Sequence, residues 1–163
     1  MFHIILYSPQ IAPNTGNIIR LCANTGAALH LIEPLGFEPD DARLRRAGLD
    51  YHEYATVRRH ATVADCLLTL PGHRLWAFST KGQRLYSDAT FEPGDALMFG
   101  PETTGLPSAV LDTLPPEHVL CLPMRPGNRS LNLSNAVAVA TFEAWRQQAY
   151  LGAERPRRLT QAS

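Results

Sequence analysis

The chain has 163 residues, 45% of them hydrophobic and 18% charged, and its 15 Lys+Arg balance 15 Asp+Glu to a formal net charge of zero. That length supports one domain with a real core and is too short for two ordinary ones. No apolar run is long enough to span a bilayer, and Met1-Phe2-His3-Ile4 lacks a basic leader segment, so the expectation is a soluble, cytoplasmic protein without a membrane partner.

In chain order, the apolar run Phe2–Tyr7, ended by Ser8-Pro9, reads as a buried strand. Asn14 or Thr15 is positioned to cap a helix running to about Asn24, with Gly26 as its stop. Ala28–Ile32 is the next strand, followed by a short helix from Asp40 or Asp41 through Arg46 and a further strand over Tyr51–Val57. Thr62–Leu70 is helical, Leu75–Ser79 and Ala96–Phe99 are strand-like, and Pro107–Leu114 is a short helix. Val119–Leu122 is a last strand, and Leu133–Tyr150 is the closing helix. On that helix Val137, Ala140, Thr141, Ala144, Trp145 and Gln148 recur at helical spacing, which fits either a monomer core or a subunit interface. Short apolar strands alternating with helices indicate an α/β domain with a mainly parallel sheet and helices on both faces. Residues 1–152 read as that single domain, and 153–163, rich in arginine, as a loosely ordered tail.

Cys22, Cys66 and Cys121 are isolated in apolar sequence and fit reduced, buried thiols. His3, His30, His52, His60, His73 and His118 show no metal-ligand spacing, so no metal is expected. Positive charge is carried almost wholly by arginine, Lys81 being the sole lysine, and gathers as Arg43, Arg45, Arg46, Arg58 and Arg59. Arginine suits bidentate phosphate contact and stacking on bases, although a solvated helix face accounts for the cluster equally well.

Polar residues crowd three loops, each next to a predicted strand. These are Pro9–Asn17, Phe99–Pro107 and Arg129–Asn135. One Ser or Asn suffices to cap a helix, so Ser130, Asn132, Ser134 and Asn135 together exceed the structural need ahead of the last helix. Ligands of open α/β sheets bind beyond the carboxyl ends of strands, and the three loops therefore suggest one composite pocket. No G-x-G-x-x-G, P-loop or nucleophile elbow is present, which argues against a dinucleotide site, an NTP site or a serine hydrolase.

N-T-G-N-x-x-R at Asn14–Arg20, F-G-x-E-x-x-G-L-P at Phe99–Pro107 and R-S-L-N-L-S-N at Arg129–Asn135 resemble, in order and spacing, the signature motifs of the SPOUT (α/β-knot) methyltransferases that modify RNA 2′-hydroxyls. Within that superfamily the chain is most similar to the minimal enzymes acting on the wobble cytidine or uridine of tRNA, a resemblance extended by Leu21–Gly26, Arg43–Glu53 and Glu143–Arg146. The resemblance implies a C-terminal deep trefoil knot, a homodimer, and S-adenosylmethionine as cofactor, leaving as S-adenosylhomocysteine. It implies tRNA, through its anticodon stem-loop and with leucine isoacceptors expected, as partner. Cofactor contacts are thereby expected at Phe78, Ser79, Thr80, Gly100, Glu102, Leu122, Met124, Ser130 and Leu131, and catalytic roles at Arg20, Asn14, Glu102, Ser130 and Asn132. Arg43, Arg45, Arg46, Arg58, Arg59 and Arg125 are the expected RNA contacts. Two alternatives stand beside this reading: methylation of another tRNA or rRNA ribose, and a non-catalytic RNA-binding dimer.

Overall fold

Ile4, Ile5 and Leu6 are all fully buried, so β1 (His3–Tyr7) is covered on both faces, as a central parallel strand must be. The computed structural model of the protein describes residues 1–38, 57–70 and 72–154. Beside β1 it contains β2 (Ala28–Ile32), β3 (Val57–His60), β4 (Leu75–Phe78), β5 (Arg84–Leu85), β6 (Ala96–Phe99) and β7 (Val119–Cys121). Among the described residues these form one seven-stranded sheet in the order β3-β2-β1-β6-β4-β7-β5, with every pairing parallel.

Among the described residues four α-helices cover the sheet: α1 (Ala12–Thr25), α2 (Val63–Leu68), α3 (Ser108–Leu111) and α4 (Leu133–Gln147). Ile4, Leu6, Leu29, Leu31, Leu97 and Phe99 pack with Ile18 and Ile19 of α1 and with Val137, Ala140 and Ala144 of α4. Alternate residues Ile5, Ile32, Ala77 and Met98 face the other way, onto Cys66 of α2 and Leu111 of α3. The two-layer cover matches the α/β reading, and no helix among the described residues is long and apolar enough to cross a membrane.

Some local expectations need correction. Asn14 and Thr15 do not cap α1; they lie buried in its first turn, Ile11 holds the N-cap position without a side-chain cap, and Pro13 enters the helix at a position that needs no N–H partner. Gly26 ends the helix as expected, at φ 72°. The closing helix stops at Gln147, because Ala149 and Tyr150 adopt φ 51° and 54° and turn the chain back, where Trp145 Nε1 donates to the Leu151 carbonyl at 2.9 Å. Helix α3 is shorter than the expected 107–114, and Ser79 and Leu122 leave the strands they were assigned to. The two-residue β5 was not foreseen. The expected helix at 40–46, all but the last residue of the strand at 51–57, and the tail from 155 lie outside the described residues.

The inner end of the sheet is fastened by Asp95. Its buried carboxylate accepts from Arg74 Nε (2.9 Å) and Nη2 (2.7 Å), from the indole of Trp76 (2.9 Å) and from the Glu92 N–H (2.9 Å). Asp95→Ala leaves the indole and guanidinium without their acceptor, and is expected to destabilise the protein by about 3 kcal/mol in urea unfolding.

Candidate active site

The sheet order sets the carboxyl ends of β1, β6, β4 and β7 side by side, and the loops leaving them enclose a pocket of about 390 Å³. Its floor is made by Phe78 and Phe99, at the ends of adjacent strands β4 and β6, whose rings stack with centroids 4.6 Å apart.

Two of the loops are shaped by glycine. After β6 the chain closes on itself, with the Gly105 N–H donating to the Pro101 carbonyl at 2.9 Å. A Cβ on Gly100 would lie 2.2 Å from Leu106 N, so no side chain fits there. After β4, the Ser79 N–H donates to the Leu120 carbonyl and the Gly82 N–H to the Ser79 carbonyl. Gly82 presses so close to β7 that a Cβ would meet the Leu120 carbonyl carbon at 2.6 Å. This tight turn presents Thr80 and Lys81 at the pocket wall.

A hydrogen-bonded chain of side chains links the other pieces. Glu102 Oε2 accepts from the Gln10 N–H (2.9 Å), and Oε1 accepts from the Ile11 N–H (3.2 Å) and from Asn14 Nδ2 (3.0 Å). The carboxylate thus holds the entry to α1 from the loop after the neighbouring strand β6. Asn14 Oδ1 accepts from Asn132 Nδ2 at 2.9 Å, and Asn132 Oδ1 accepts from the Ser134 N–H at 2.9 Å and caps α4. One motif residue from each loop therefore meets the next.

Residues 1–142 match the family model described as SpoU rRNA Methylase. The chain belongs to the SpoU methylase family. Across 94% of its length it is 58% identical to the tRNA (cytidine(34)-2′-O)-methyltransferase of Escherichia coli, 98% of which is covered. A solved structure reported for the 2-OH methylation of C/U34 on tRNA superposes with TM-score 0.84 at 47% identity, covering 91% of this chain and 97% of that one. The AviRb methyltransferase of Streptomyces viridochromogenes, solved with AdoMet, shares the fold at TM-score 0.77 and 23% identity, covering 90% of this chain and 57% of that one.

In this SpoU methylase every position assigned to the cofactor lines the pocket, as do Asn14, Glu102, Ser130 and Asn132. Arg20 does not; it is exposed on α1, beyond the turn that carries Asn14. Arg125 is exposed in the loop leading to α4. Arg58 and Arg59 are neighbours on the edge strand β3, so their side chains leave opposite faces of the sheet, and Arg59 pairs with Glu33 at 2.6 Å. Arg43, Arg45 and Arg46 lie outside the described residues. Ile11 and Phe99 fall within the loops read as a composite pocket but were given no role of their own, and Lys81 falls outside those loops; all three line the pocket. For Phe99 the signal was its place at the end of a buried strand, and for Lys81 its position just past the β4 end.

Because Glu102, Asn14 and Asn132 act as one chain, their removals are not independent. Glu102→Ala and Asn132→Ala are each expected to cost about 1–2 kcal/mol in urea unfolding. The double variant should fall short of their sum by at least ~0.5 kcal/mol.

Proposed function

We propose that this chain transfers a methyl group from S-adenosylmethionine to the ribose 2′-oxygen of the wobble nucleotide, cytidine or uridine 34, of tRNA. The observation carrying this reading is the meeting of all three motif loops in one pocket, joined through Glu102, Asn14 and Asn132. The E. coli relative that bears the activity in its name matches this chain over 94% of its length.

The pocket suits the cofactor. Its volume lies in the range of small-ligand sites, and Phe78, Leu122, Met124 and Leu131 supply apolar walls beside the bare backbone of Gly100. Ser79, Thr80, Glu102 and Ser130 add polar contacts at its edges. S-adenosylmethionine supplies a sulfonium-activated methyl group, open to in-line attack.

The protein must orient the ribose hydroxyl and help it lose its proton. Arg20 serves this as a clamp on the adjoining phosphate and a stabiliser of the developing 2′-oxyanion. A guanidinium keeps its proton far above neutral pH, so it does not act as the base, and the proton leaves through water or an adjacent group. Asn14 and Asn132 hold the pocket wall in register, Ser130 shapes the methyl-transfer end, and Glu102 fixes the loop.

Arg20 stands outside the pocket of its own chain, which supports a homodimer in which it completes the partner's site. Exposed Val139, Phe142 and Tyr150 along and just past α4 give such a dimer an apolar surface. In this reading residues 1–152 are one SPOUT domain, and the loop before α4 belongs to a trefoil knot. The anticodon stem-loop lies across the dimer on Arg43, Arg45, Arg46, Arg58, Arg59 and Arg125, where unstacked bases and 2′-hydroxyls are accessible.

The test is transfer of labelled methyl from S-adenosylmethionine to tRNA, with the product digested to locate the modified nucleotide. Label is expected on the 2′-oxygen of nucleotide 34. Arg20→Ala should cut kcat by about 10²-fold or more while the chain stays folded. Arg20→Lys retaining most of the turnover would remove the case for guanidinium geometry.

A further inference from the structure

Away from the pocket, imidazoles line up across the N-terminal half of the sheet. His3 of β1 and His30 of β2 approach with His3 Nδ1 and His30 Nε2 3.1 Å apart, and His30 Nδ1 and His60 Nε2 of β3 are 3.0 Å apart. His30 is fully buried and both of its ring nitrogens are engaged by other histidines. The strand register accounts for the line: Ile32 pairs with His60, so His30 and His60 lie two residues apart along the register, on the same face.

That is the face covered by α2, and fully buried Cys66 of α2 points into the group. One ring nitrogen of His30, one of His60 and Cys66 Sγ all lie within 4.8 Å of one another. A single strand–turn–helix unit carries His60 and Cys66. Its turn is pinned by Thr62, which accepts from the Asp65 N–H at 3.1 Å and donates its hydroxyl to Asp65 Oδ2 at 2.7 Å.

We propose that His30 Nδ1, His60 Nε2 and Cys66 Sγ form a binding site for a zinc-class divalent cation, separate from the methyl-transfer pocket. Two nitrogens bound to tetrahedral zinc at about 2.0–2.1 Å stand roughly 3.3 Å apart. The observed 3.0 Å between His30 and His60 is within a few tenths of an ångström of that, so the ion takes the place of the proton they share. Two nitrogens and a thiolate are ligands this class of ion prefers.

Each histidine stays neutral on binding and offers a lone pair to the ion. The His30 proton then sits on Nε2, where it donates to His3 Nδ1, giving the ligand the outer partner that bound histidines ordinarily have. Cys66 loses its thiol proton, so one proton is released per ion. Burial pushes that thiol up to about 11, and binding therefore strengthens as pH rises. Arg58 adds an opposing charge near the histidines and Asp65 an attractive one near His60. His60 is only partly buried, which leaves a solvent side for water as the fourth ligand. None of the three ligands lines the methyl-transfer pocket. The bound ion would tie β2, β3 and α2 together.

The full chain is titrated with Co²⁺ and then with Zn²⁺. One equivalent of Co²⁺ is expected to give intense tetrahedral d–d bands and a thiolate-to-cobalt charge-transfer band, both removed by Zn²⁺. Cys66→Ser should lose the charge-transfer band. His60→Gln, at a partly exposed edge position where folding is readily checked by circular dichroism, should bind at least tenfold more weakly. Zn²⁺ should raise the thermal midpoint of the native chain and leave that of His60→Gln unchanged. Sub-stoichiometric binding, a six-coordinate spectrum, or affinity unchanged in His60→Gln would overturn the site.

Discussion

The Glu102 carboxylate can only accept hydrogen bonds, and that one-way chemistry orders much of the molecule around it. Its acceptors take the Gln10 and Ile11 N–H groups at the start of α1 and the amide nitrogen of Asn14. Asn14 must therefore turn its oxygen toward Asn132, which must answer with its own nitrogen and keep its oxygen for the first turn of α4. Each amide orientation follows from the one before it. The chain of bonds joins a strand end, two helix starts and the pocket wall, so the site's geometry and the seating of α1 and α4 have a common origin.

Much of the fold could be read from local sequence because its strands are short buried runs with abrupt ends. Ala28–Ile32 and Ala96–Phe99 have the expected bounds, and Thr62 and Gly26 mark helix ends by local chemistry. Reading failed where the partner was distant. Asn14 and Thr15 looked like caps because such residues usually are, whereas the entry to α1 is held by a carboxylate far along the chain. Trp145, by contrast, keeps the core-facing place its spacing gave it, packed against the buried cluster, and its indole N–H also closes the turn that follows the helix. Arg58 and Arg59 looked like one basic patch in the sequence, and the strand sends them to opposite faces.

The pocket was legible for a different reason. The polar residues of the three loops were more numerous than turns and caps require, and their pattern resembled a known family. What the pattern could not show was the space between them. Gly100 and Gly82 define that space through close approaches of backbone to backbone; the glycine at 100 marks that an approach is possible, and neither glycine shows which backbone it meets. The histidines were harder still: His3, His30 and His60 are far apart in the chain, and only the parallel register draws them into a line.

The same pocket has a consequence for how the protein is made. Its wall draws on residues from Ile11 to Ala136, and the chain of bonds closes only at Asn132, at the threshold of the last helix. Synthesis runs from the N-terminus, and domains fold as units as they emerge. A nascent chain halted before α4 therefore has most of its sheet but lacks the last partner of Asn14, whose side-chain oxygen is left without its donor. The pocket wall is thus complete only once the chain has been made as far as Ala136.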